Sequence, residues 1–218
     1  MKPLLKITAN LLARLLTLPL ALVYWCLAFC CSKERTFPGF SQFVSIYPGQ
    51  TGVYLRRAFY QWVLPACGKD ACISFGTVIS HPTTRIGRNV YVGLYCVLGD
   101  VTLEDDVLLG SHVSIINGNR QHGIERLDLP VREQPGLWPH VTVGCDTWIG
   151  ERAVIQTDLG RHCVIGAGSV VTQPIPDYGI ALGVPAKVVR YRNASELAFD
   201  PTTQRTSEQP VQPAETSS

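Results

Sequence analysis

The side chains best suited to chemistry lie in one polar stretch, INGNRQHGIERLDLPVREQPGLWPH, which runs from Ile116 to His140. His122 stands within it, and Gly118 and Gly123 give the backbone around it conformational freedom. A neutral imidazole can take a proton, near neutral pH, from a hydroxyl or amine that attacks a carbonyl group. His122 is therefore the candidate general base, and the alternative is a solvated loop histidine.

Three more polar side chains of this stretch are candidates for binding an acceptor molecule. Asn117 and Asn119 precede His122, and Glu125 follows it, where its carboxylate could also orient the imidazole. No Ser, Cys or Lys is set up as a covalent nucleophile, so we expect a group to pass directly from donor to acceptor. The stretch carries charges of both signs, so its composition does not identify the acceptor.

The residues that must position this stretch repeat on both sides of it with a period of mostly six. Downstream, the repeating aliphatic residues are Val143, Ile149, Ile155, Leu159, Ile165 and Val171. Upstream they are Ile86, Val92, Leu98, Leu103, Leu109 and Ile115, and we expect Ile73 and Ile79 to begin the series. Six is not the period of a helix or of an ordinary strand, and a fixed short repeat is typical of a solenoid. The sequence predicts a parallel β-helix in which three hexads form one triangular coil; the alternative is a set of ordinary buried strands separated by Gly turns.

Three motifs within the repeat resemble a known family. They are WIG from Trp148, VIGAGSVV from Val164 and GVPAKVVR from Gly183. They are similar to those of the hexapeptide-repeat acyltransferases, sugar O-acetyltransferases among them, and the resemblance covers roughly residues 73 to 192. It implies an all-β solenoid of the left-handed parallel β-helix type, a homotrimer, and acetyl-CoA as the acyl donor. The left-handedness is implied by the resemblance alone, because the usual crossover rule would give the opposite hand.

The resemblance also implies roles for particular residues. The family's catalytic histidine lies in an extruded loop, the place that His122 occupies here. Gly166 and Ala167 would approach acetyl-CoA with their main chain, and Lys187 and Arg190 would meet its phosphates, unless these two only form a solvated edge. Trp148 either lines the site or wedges the coils apart.

The remaining histidines, the cysteines and the net charge bear on metal sites, disulfides and nucleic-acid binding. His112 stands where many relatives carry Asn, so it either faces the site or only the surface. A zinc hydratase of this fold would need three converging His ligands with a close pair, and His112 and His122 are ten residues apart, so we expect no metal. The eight cysteines show no paired CxxC motifs; Cys67 and Cys72 could form a disulfide, but free thiols in a reducing cytoplasm are favoured. A net charge of +2 gives no case for nucleic-acid binding.

The N-terminal part of the chain has a different composition. Residues 7–31 are apolar except for Arg14, and as a helix they would extend about 37 Å, enough for a hydrocarbon core of about 30 Å. Pro19 favours a re-entrant or interfacial helix over a straight span, and a cleaved signal peptide or a helix packed on the solenoid are the alternatives. Residues 51–64 can form a helix that caps the first coil, brings Arg56 and Arg57 to lipid headgroups, or does both.

These observations give four segments and one expected function. The segments are 1–35, membrane-associated; 36–72, a turn-rich connector with a capping helix; 73–192, the β-helix; and 193–218, a disordered tail. We expect an acyl-CoA-dependent acetyltransferase that modifies a hydroxyl or amine of a sugar or glycoconjugate, as in polysaccharide modification, with its catalytic domain on the cytoplasmic side of a membrane. The alternative is a non-catalytic β-helix scaffold at the membrane.

Overall fold

The structure is a computed structural model that describes residues 3–193. The predicted tail lies outside these described residues except for Asn193. The described part begins with three helices, α1 (Pro3–Cys30), α2 (Lys33–Ser45) and α3 (Gly49–Val63). Sixteen short strands follow within it: β1 Ala66–Cys67, β2 Cys72–Ile73, β3 Val78–Ile79, β4 Arg85–Ile86, β5 Tyr91–Val92, β6 Val97–Leu98, β7 Val101–Leu103, β8 Leu108–Leu109, β9 Ser114–Ile115, β10 Val141–Val143, β11 Trp148–Ile149, β12 Val154–Ile155, β13 Val164–Ile165, β14 Val170–Val171, β15 Gly179–Gly183 and β16 Ala186–Tyr191.

The strands form the three faces of a parallel β-solenoid, as the hexads predicted. Sheet A contains β1, β4, β7 and β10; sheet B contains β2, β5, β8, β11, β13, β15 and β16; sheet C contains β3, β6, β9, β12 and β14. Each coil passes through A, B and C in turn, and neighbouring coils pair in parallel. Only the last strand, β16, runs antiparallel, against β15, within the described residues.

The inward side chains of the solenoid form one continuous apolar core. The predicted aliphatic positions, from Ile73 to Val171, are at most 2% exposed. Smaller residues between them are buried as well, and Thr147 shows how a polar one is accommodated. Its hydroxyl donates to Gly160 O at 2.9 Å and accepts from Cys163 N at 3.1 Å. The six-residue period therefore identified the core correctly.

The solenoid begins earlier than the sequence pattern indicated. Its first strand is β1, whose Cys67 pairs with Ile86 of the next coil. Residues 66–72 therefore belong to the solenoid and not to the connector. The pattern missed this coil because its first strand holds Ala and Cys, not the large aliphatic residues that mark later coils.

The expected turn-rich connector contains a helix, α2. Ser32 caps it by accepting a hydrogen bond from Arg35 N at 3.2 Å. Phe37, Ser41 and Val44 lie on one face and are buried against the first coil. Ser41 Oγ accepts from Ile79 N at 2.8 Å, so the helix is joined directly to strand β3. Local turn propensity was overridden here by packing of an amphipathic face.

Helix α3 caps the open end of the first coil, and the expectation that its arginines reach lipid headgroups is wrong. Arg56 is 0% exposed and Arg57 is 5% exposed. Arg56 Nε donates to Ile73 O at 2.8 Å, and Arg57 Nη1 donates to Ala71 O at 3.0 Å. The strand N–H groups of each coil donate to carbonyls of the following coil. Because no coil precedes the first one, its carbonyls would lack donors without these arginines.

Helix α1 continues without a break through Pro19 and lies along the helical cap. A stripe of small residues and one aromatic residue faces α2 and α3, comprising Ala13, Thr17, Ala21, Tyr24 and Ala28. Trp62 Nε1 donates to Arg14 O at 3.3 Å, and Arg57 Nη2 donates to Asn10 Oδ1. The opposite face exposes leucines, and residues 6–30 are long and apolar enough to cross a membrane by length and composition alone.

Candidate functional site

The polar stretch forms a long loop between β9 on sheet C and β10 on sheet A, so it leaves the solenoid at the edge where these two sheets meet. One 3-10 turn, Val131–Glu133, interrupts its irregular course. Gln134 is 6% exposed and braces the interior, because Nε2 donates to Arg126 O at 2.6 Å and Oε1 accepts from Arg126 N at 3.1 Å. The loop is therefore an ordered feature with its own internal hydrogen bonds.

His122 is exposed on this loop. Its ring meets the Trp138 indole edge-on, with centroids 5.7 Å apart. Within residues 3–193, no hydrogen bond or ion pair engages its ring nitrogens. Gly136 makes this arrangement possible, because a Cβ at that position would lie 1.9 Å from Gln121 O. The imidazole is thus held by ring packing while its nitrogens remain available to a ligand.

The three predicted acceptor-binding residues have different surroundings. Asn119 is exposed near His122 in sequence. Glu125 is also exposed, but its Oε2 accepts from Ile124 N at 3.0 Å and makes no recorded contact with His122. Asn117 is 2% exposed, and its side-chain amide is hydrogen-bonded to the backbone of Asp100 and Pro139. This burial contradicts its predicted role in acceptor binding.

Most residues expected to bind acetyl-CoA lie together on sheet B. Trp148 pairs with Val164, Val164 with Ile180, and Ile180 with Arg190, so these four residues form one row across the sheet. Trp148 points outward and is 52% exposed. Its ladder pairing is regular, which rules out a wedge between coils. Lys187 and Arg190 are exposed, and among the described residues no carboxylate pairs with either.

Gly166 and Ala167 follow this row at the corner between sheets B and C. A Cβ on Gly166 would lie 2.2 Å from Leu182 Cδ2, so the absence of a side chain at Gly166 leaves room for the exposed Leu182 side chain of the next coil. Ala167 is exposed, and the adjacent Gly168, at φ +68°, has open space around it. The exposed main chain at this corner is therefore that of Ala167 and Gly168, next to the half-buried Gly166.

A cluster of charged residues beside Trp148 was not foreseen. A pocket of about 360 Å³ is bordered by Trp148, Asp146 and Arg192. Asp146 Oδ2 lies 2.9 Å from His162 Nδ1 and 3.1 Å from Arg192 Nη1. These contacts, led by the His162 hydrogen bond, lower the pKa of the Asp146 carboxyl. The cluster fixes one wall of the pocket and places a cation beside the indole.

The other candidate residues lie apart from this row. His112 is exposed at φ +58° and stacks on Tyr95, with ring centroids 5.4 Å apart. Cys67 and Cys72 are unbridged, and burial raises the pKa of the Cys67 thiol to about 12. Between residues 3 and 193, no group of three His, Cys, Asp or Glu side chains could hold a metal ion.

The structure thus brings the expected site residues into two groups. The His122 loop leaves from the edge between sheets C and A, whereas the Trp148 row and Ala167 lie on sheet B and its corner with sheet C. No hydrogen bond, ion pair or ring contact joins the two groups within the described part of one chain. Each group presents exposed polar or aromatic groups that lack a partner.

The sequence analysis did not predict the contacts between polar residues that lie one coil apart. Asp146 and His162 are separated by 16 positions, so they stack at the same corner of successive coils. Asp100 and Asn117 are separated by 17 positions and are hydrogen-bonded for the same reason. Three hexads predict a coil of 18 residues, but the short steps from Leu98 to Leu103 and from Ile155 to Leu159 shorten these two coils to 17 and 16 residues. Pairing polar residues at a spacing of 18 would therefore have missed both contacts.

Comparisons with known proteins agree with this architecture. A family profile described as "Hexapeptide repeat of succinyl-transferase" matches residues 140–173. The galactoside O-acetyltransferase of Escherichia coli (strain K12) is 31% identical over 145 residues, which cover 63% of this chain and 69% of that protein. A protein of Mycobacterium tuberculosis named as a probable acetyltransferase is 37% identical over 125 residues, 55% of this chain, and these span only 41% of its own length.

A solved structure gives a similar result. A galactoside acetyltransferase in complex with coenzyme A superposes with a TM-score of 0.62 at 25% identity. The superposition covers 74% of this chain and 82% of that one.

Proposed function

This chain belongs to the hexapeptide-repeat family of acyl-CoA-dependent acetyltransferases, and we propose that it transfers an acetyl group from acetyl-CoA to a hydroxyl or amine of a sugar or glycoconjugate, with His122 as the general base. The observation that carries this proposal is the exposed His122 imidazole, held by Trp138 on an ordered loop with its nitrogens available. A loop histidine with a fixed ring and free nitrogens suits proton transfer better than a solvated surface histidine does.

The proposed chemistry needs one proton acceptor. The His122 imidazole takes the proton of the acceptor's hydroxyl or amine as its oxygen or nitrogen bonds to the thioester carbonyl carbon. The carbon–sulfur bond then breaks, and the imidazolium returns the proton to the departing thiolate. No group of the enzyme becomes acylated, so donor and acceptor must be bound together. A positioned general base typically contributes about 10² to 10⁴ in rate.

The residues of sheet B fit a long ligand that carries phosphates. The exposed indole of Trp148 offers an apolar surface, and the open main chain at Ala167 permits close approach. Arg190, at the far end of this row, and Lys187, which pairs with Leu182 on the same strand pair, supply cations for phosphate groups. These residues would bind acetyl-CoA, whose thioester is the activated donor.

A sugar acceptor is favoured by a relative of which this chain covers 69%, which is named as a galactoside O-acetyltransferase. In this chain Asn119 and Glu125 remain candidates for binding the acceptor, because both are exposed on the loop that carries His122. Asn117 is no longer included, since its amide is buried and engaged.

A homotrimer would unite the two groups of site residues. The His122 loop exposes several apolar side chains, most of all Ile124 at 71%, Leu127 at 98% and Leu137 at 65%. Such a surface is unusual for a loop that faces only water. We propose that it packs on a neighbouring chain near sheet B, which would bring His122 to bound acetyl-CoA. Light scattering should give three chain masses, and Leu127→Glu should lower the mass and the activity together.

Membrane association through residues 7–31 is the other part of the proposal. The outward face of α1 exposes a leucine-rich surface, including Leu12 at 56%, Leu15 at 67% and Leu22 at 57%. The opposite face packs on the helical cap, which favours a helix lying in the membrane interface over a span. Because acyl-CoA is cytoplasmic, the solenoid would lie on the cytoplasmic side. The full-length protein should float with phospholipid vesicles, and Leu12→Glu, Leu15→Glu and Leu22→Glu together should abolish flotation.

The central experiment compares His122→Ala with His81→Ala. His81 is a partly exposed histidine that bonds only to the neighbouring Ser80 hydroxyl, so it controls for loss of an imidazole. Radiolabelled acetyl-CoA and a panel of sugar acceptors should show turnover lowered about 10²-fold or more by His122→Ala, with an unchanged melting temperature.

Two outcomes would contradict the proposal. Equal activity of wild type and His122→Ala would remove His122 as the base. If folded wild-type protein gave no heat on titration with acetyl-CoA, the scaffold alternative would replace the enzyme.

A further inference from the structure

Both ends of the His122 loop meet at one residue of the preceding coil, Asp100. The loop begins with Ile116 and Asn117 after β9 and ends at His140, directly before β10. Asp100 lies immediately before β7, which pairs with β10 in sheet A. Its backbone bonds to the beginning of the loop, and its side chain bonds to the end.

Asn117 holds the beginning of the loop with both atoms of its amide. Oδ1 accepts from Asp100 N at 2.9 Å, and Nδ2 donates to Asp100 O at 2.8 Å. Nδ2 also donates to Pro139 O at 2.8 Å, which ties the beginning of the loop to its end. Burial makes these bonds costly to lose, because the freed groups would have no water to replace the amide.

His140 holds the end of the loop by bridging the Asp100 carboxylate and the Thr102 hydroxyl. Its Nδ1 lies 3.0 Å from Asp100 Oδ1, and its Nε2 lies 2.8 Å from Thr102 Oγ1. Thr83 Oγ1, one coil earlier, donates to the same Asp100 oxygen at 2.6 Å. The carboxylate is therefore fixed from two sides before it meets the imidazole.

The neck of the loop is narrow, and glycines make it so. Gly118 has φ +78°, and a Cβ there would lie 2.9 Å from Pro139 Cγ. A Cβ on Gly99 would lie 2.3 Å from Asn117 Oδ1. Gly118 in the neck and Gly99 in the preceding coil thus both leave room for the amide of Asn117.

We infer that Asp100, Asn117 and His140 form a clamp that positions His122, and that they are positioning residues of the transfer reaction. The inference rests on the proposed role of His122. Trp138 links the clamp to the base, because it lies two residues before His140 and packs against the His122 ring. A displaced neck would move Trp138 and the imidazole together. Misplacement of a reacting group by about 1 Å can cost about 10²-fold in rate.

Substitutions that change the hydrogen-bonding groups of the clamp can test it. Asn117→Asp keeps the shape but turns a carboxylate oxygen toward the carbonyls of Asp100 and Pro139, so it should be at least as harmful as Asn117→Ala. Asn at position 140 can place its Nδ2 where Nδ1 stood, so His140→Asn should recover part of the activity that His140→Ala loses. Gly99→Ala should displace Asn117 without changing it. His81→Ala is the matched control.

The experiment measures steady-state kinetics and hydrogen exchange on the full-length variants. We expect kcat to fall about 10- to 100-fold in Asn117→Ala, Asn117→Asp and Gly99→Ala, with the KM for acetyl-CoA within about twofold of wild type, because sheet B is untouched. Amide exchange should accelerate in residues 118–139 and stay unchanged in β7 and β10. His81→Ala should match wild type in both measurements.

Three results would overturn the clamp. They are unchanged loop exchange in the Asn117 variants, faster loop exchange with unchanged kcat, and faster exchange spread equally through the coils. Failure of the proposed function gives a different result, since inactivity of wild type or full activity of His122→Ala leaves the exchange pattern of the clamp variants intact.

Discussion

Replacing Arg56 by Met should destabilise the N-terminal end of the solenoid and leave its other end almost unchanged. Arg56 donates to Ile73 O at 2.8 Å and to Tyr47 O at 2.6 Å, and it has no carboxylate partner among the described residues. Met retains the apolar stem of the side chain, so packing is largely kept. The variant therefore measures the cost of leaving one buried carbonyl, Ile73 O, and one partly buried carbonyl, Tyr47 O, without this donor.

The magnitude follows from those two groups. A buried polar group left without its partner costs about 1–3 kcal/mol, so these two groups together cost at most about 2–6 kcal/mol, the partly buried Tyr47 O contributing less. Removing a desolvated charge that has one unpaired nitrogen, Nη2, offsets part of this cost. We expect a net loss of about 2–4 kcal/mol, which corresponds to about 5–15 °C in melting temperature for a domain of this size.

The assay combines thermal unfolding with hydrogen exchange. Neighbouring coils stabilise one another in a solenoid, so the lost protection should be local. Amides of Cys72 and Ser74, which donate to Val90 O and Val92 O, should exchange faster, and amides of β13 should not. Arg88→Met is the control, because the Arg88 side chain is 76% exposed and should change stability by at most about 0.5 kcal/mol. If Arg56→Met were no less stable than Arg88→Met, the capping argument would be refuted.

Three further predictions concern the site and the coils. Trp148→Ala should raise the KM for acetyl-CoA about tenfold in steady-state assays without changing the melting temperature, because the indole is 52% exposed; an unchanged KM would remove it from the donor site. Gly150→Ala should cost about 1–3 kcal/mol by thermal unfolding, since its Cβ would lie 2.5 Å from Ala167 N, whereas Gly39→Ala, in an open helical position, should not destabilise. The folded-state pKa of Asp146 is lowered by its histidine and arginine neighbours, so its contribution to stability is present above the unfolded value of about 3.9 and is lost as pH falls through the folded value. The melting temperatures of wild type and Asp146→Asn should therefore converge between about pH 5 and the acid limit, and a constant difference would contradict the assignment.

The hexad pattern predicted the solenoid, its core and the one long departure from it, because inward aliphatic residues repeat visibly in the sequence. The same pattern could not reveal the first coil, where Ala66 and Cys67 occupy strand positions. It also gave no sign that Arg56 and Arg57 are buried, since charged side chains are expected at the surface unless they are paired. The open carbonyl edge of a solenoid is the physical reason, and that edge becomes evident only once the coils are assembled.

The sequence predicted which residue types form the site, but it did not predict which of them are exposed and which are buried structural residues. His122, Trp148, Lys187 and Arg190 are exposed, as chemistry or ligand binding would require. Asn117 had the same sequence signal as Asn119, yet it became a buried anchor because it stacks one coil below Asp100. How the two groups of residues meet depends on contacts between chains, which remains a prediction.

Because both ends of the solenoid are covered, copies of this chain are restricted in how they can associate. Parallel coils with open edges could add to one another and grow into filaments. At the first coil, helix α3 covers the edge and two arginines occupy its carbonyls. At the last coil, β16 folds back antiparallel on β15, so a new coil would meet a strand of the wrong direction. Growth along the solenoid axis is thereby disfavoured at the first coil and, on sheet B, at the last coil, which leaves the flanks of the solenoid and its loop as the surfaces favoured for assembly. Oligomers of this chain should consequently be closed and side by side, with a size that does not increase with concentration.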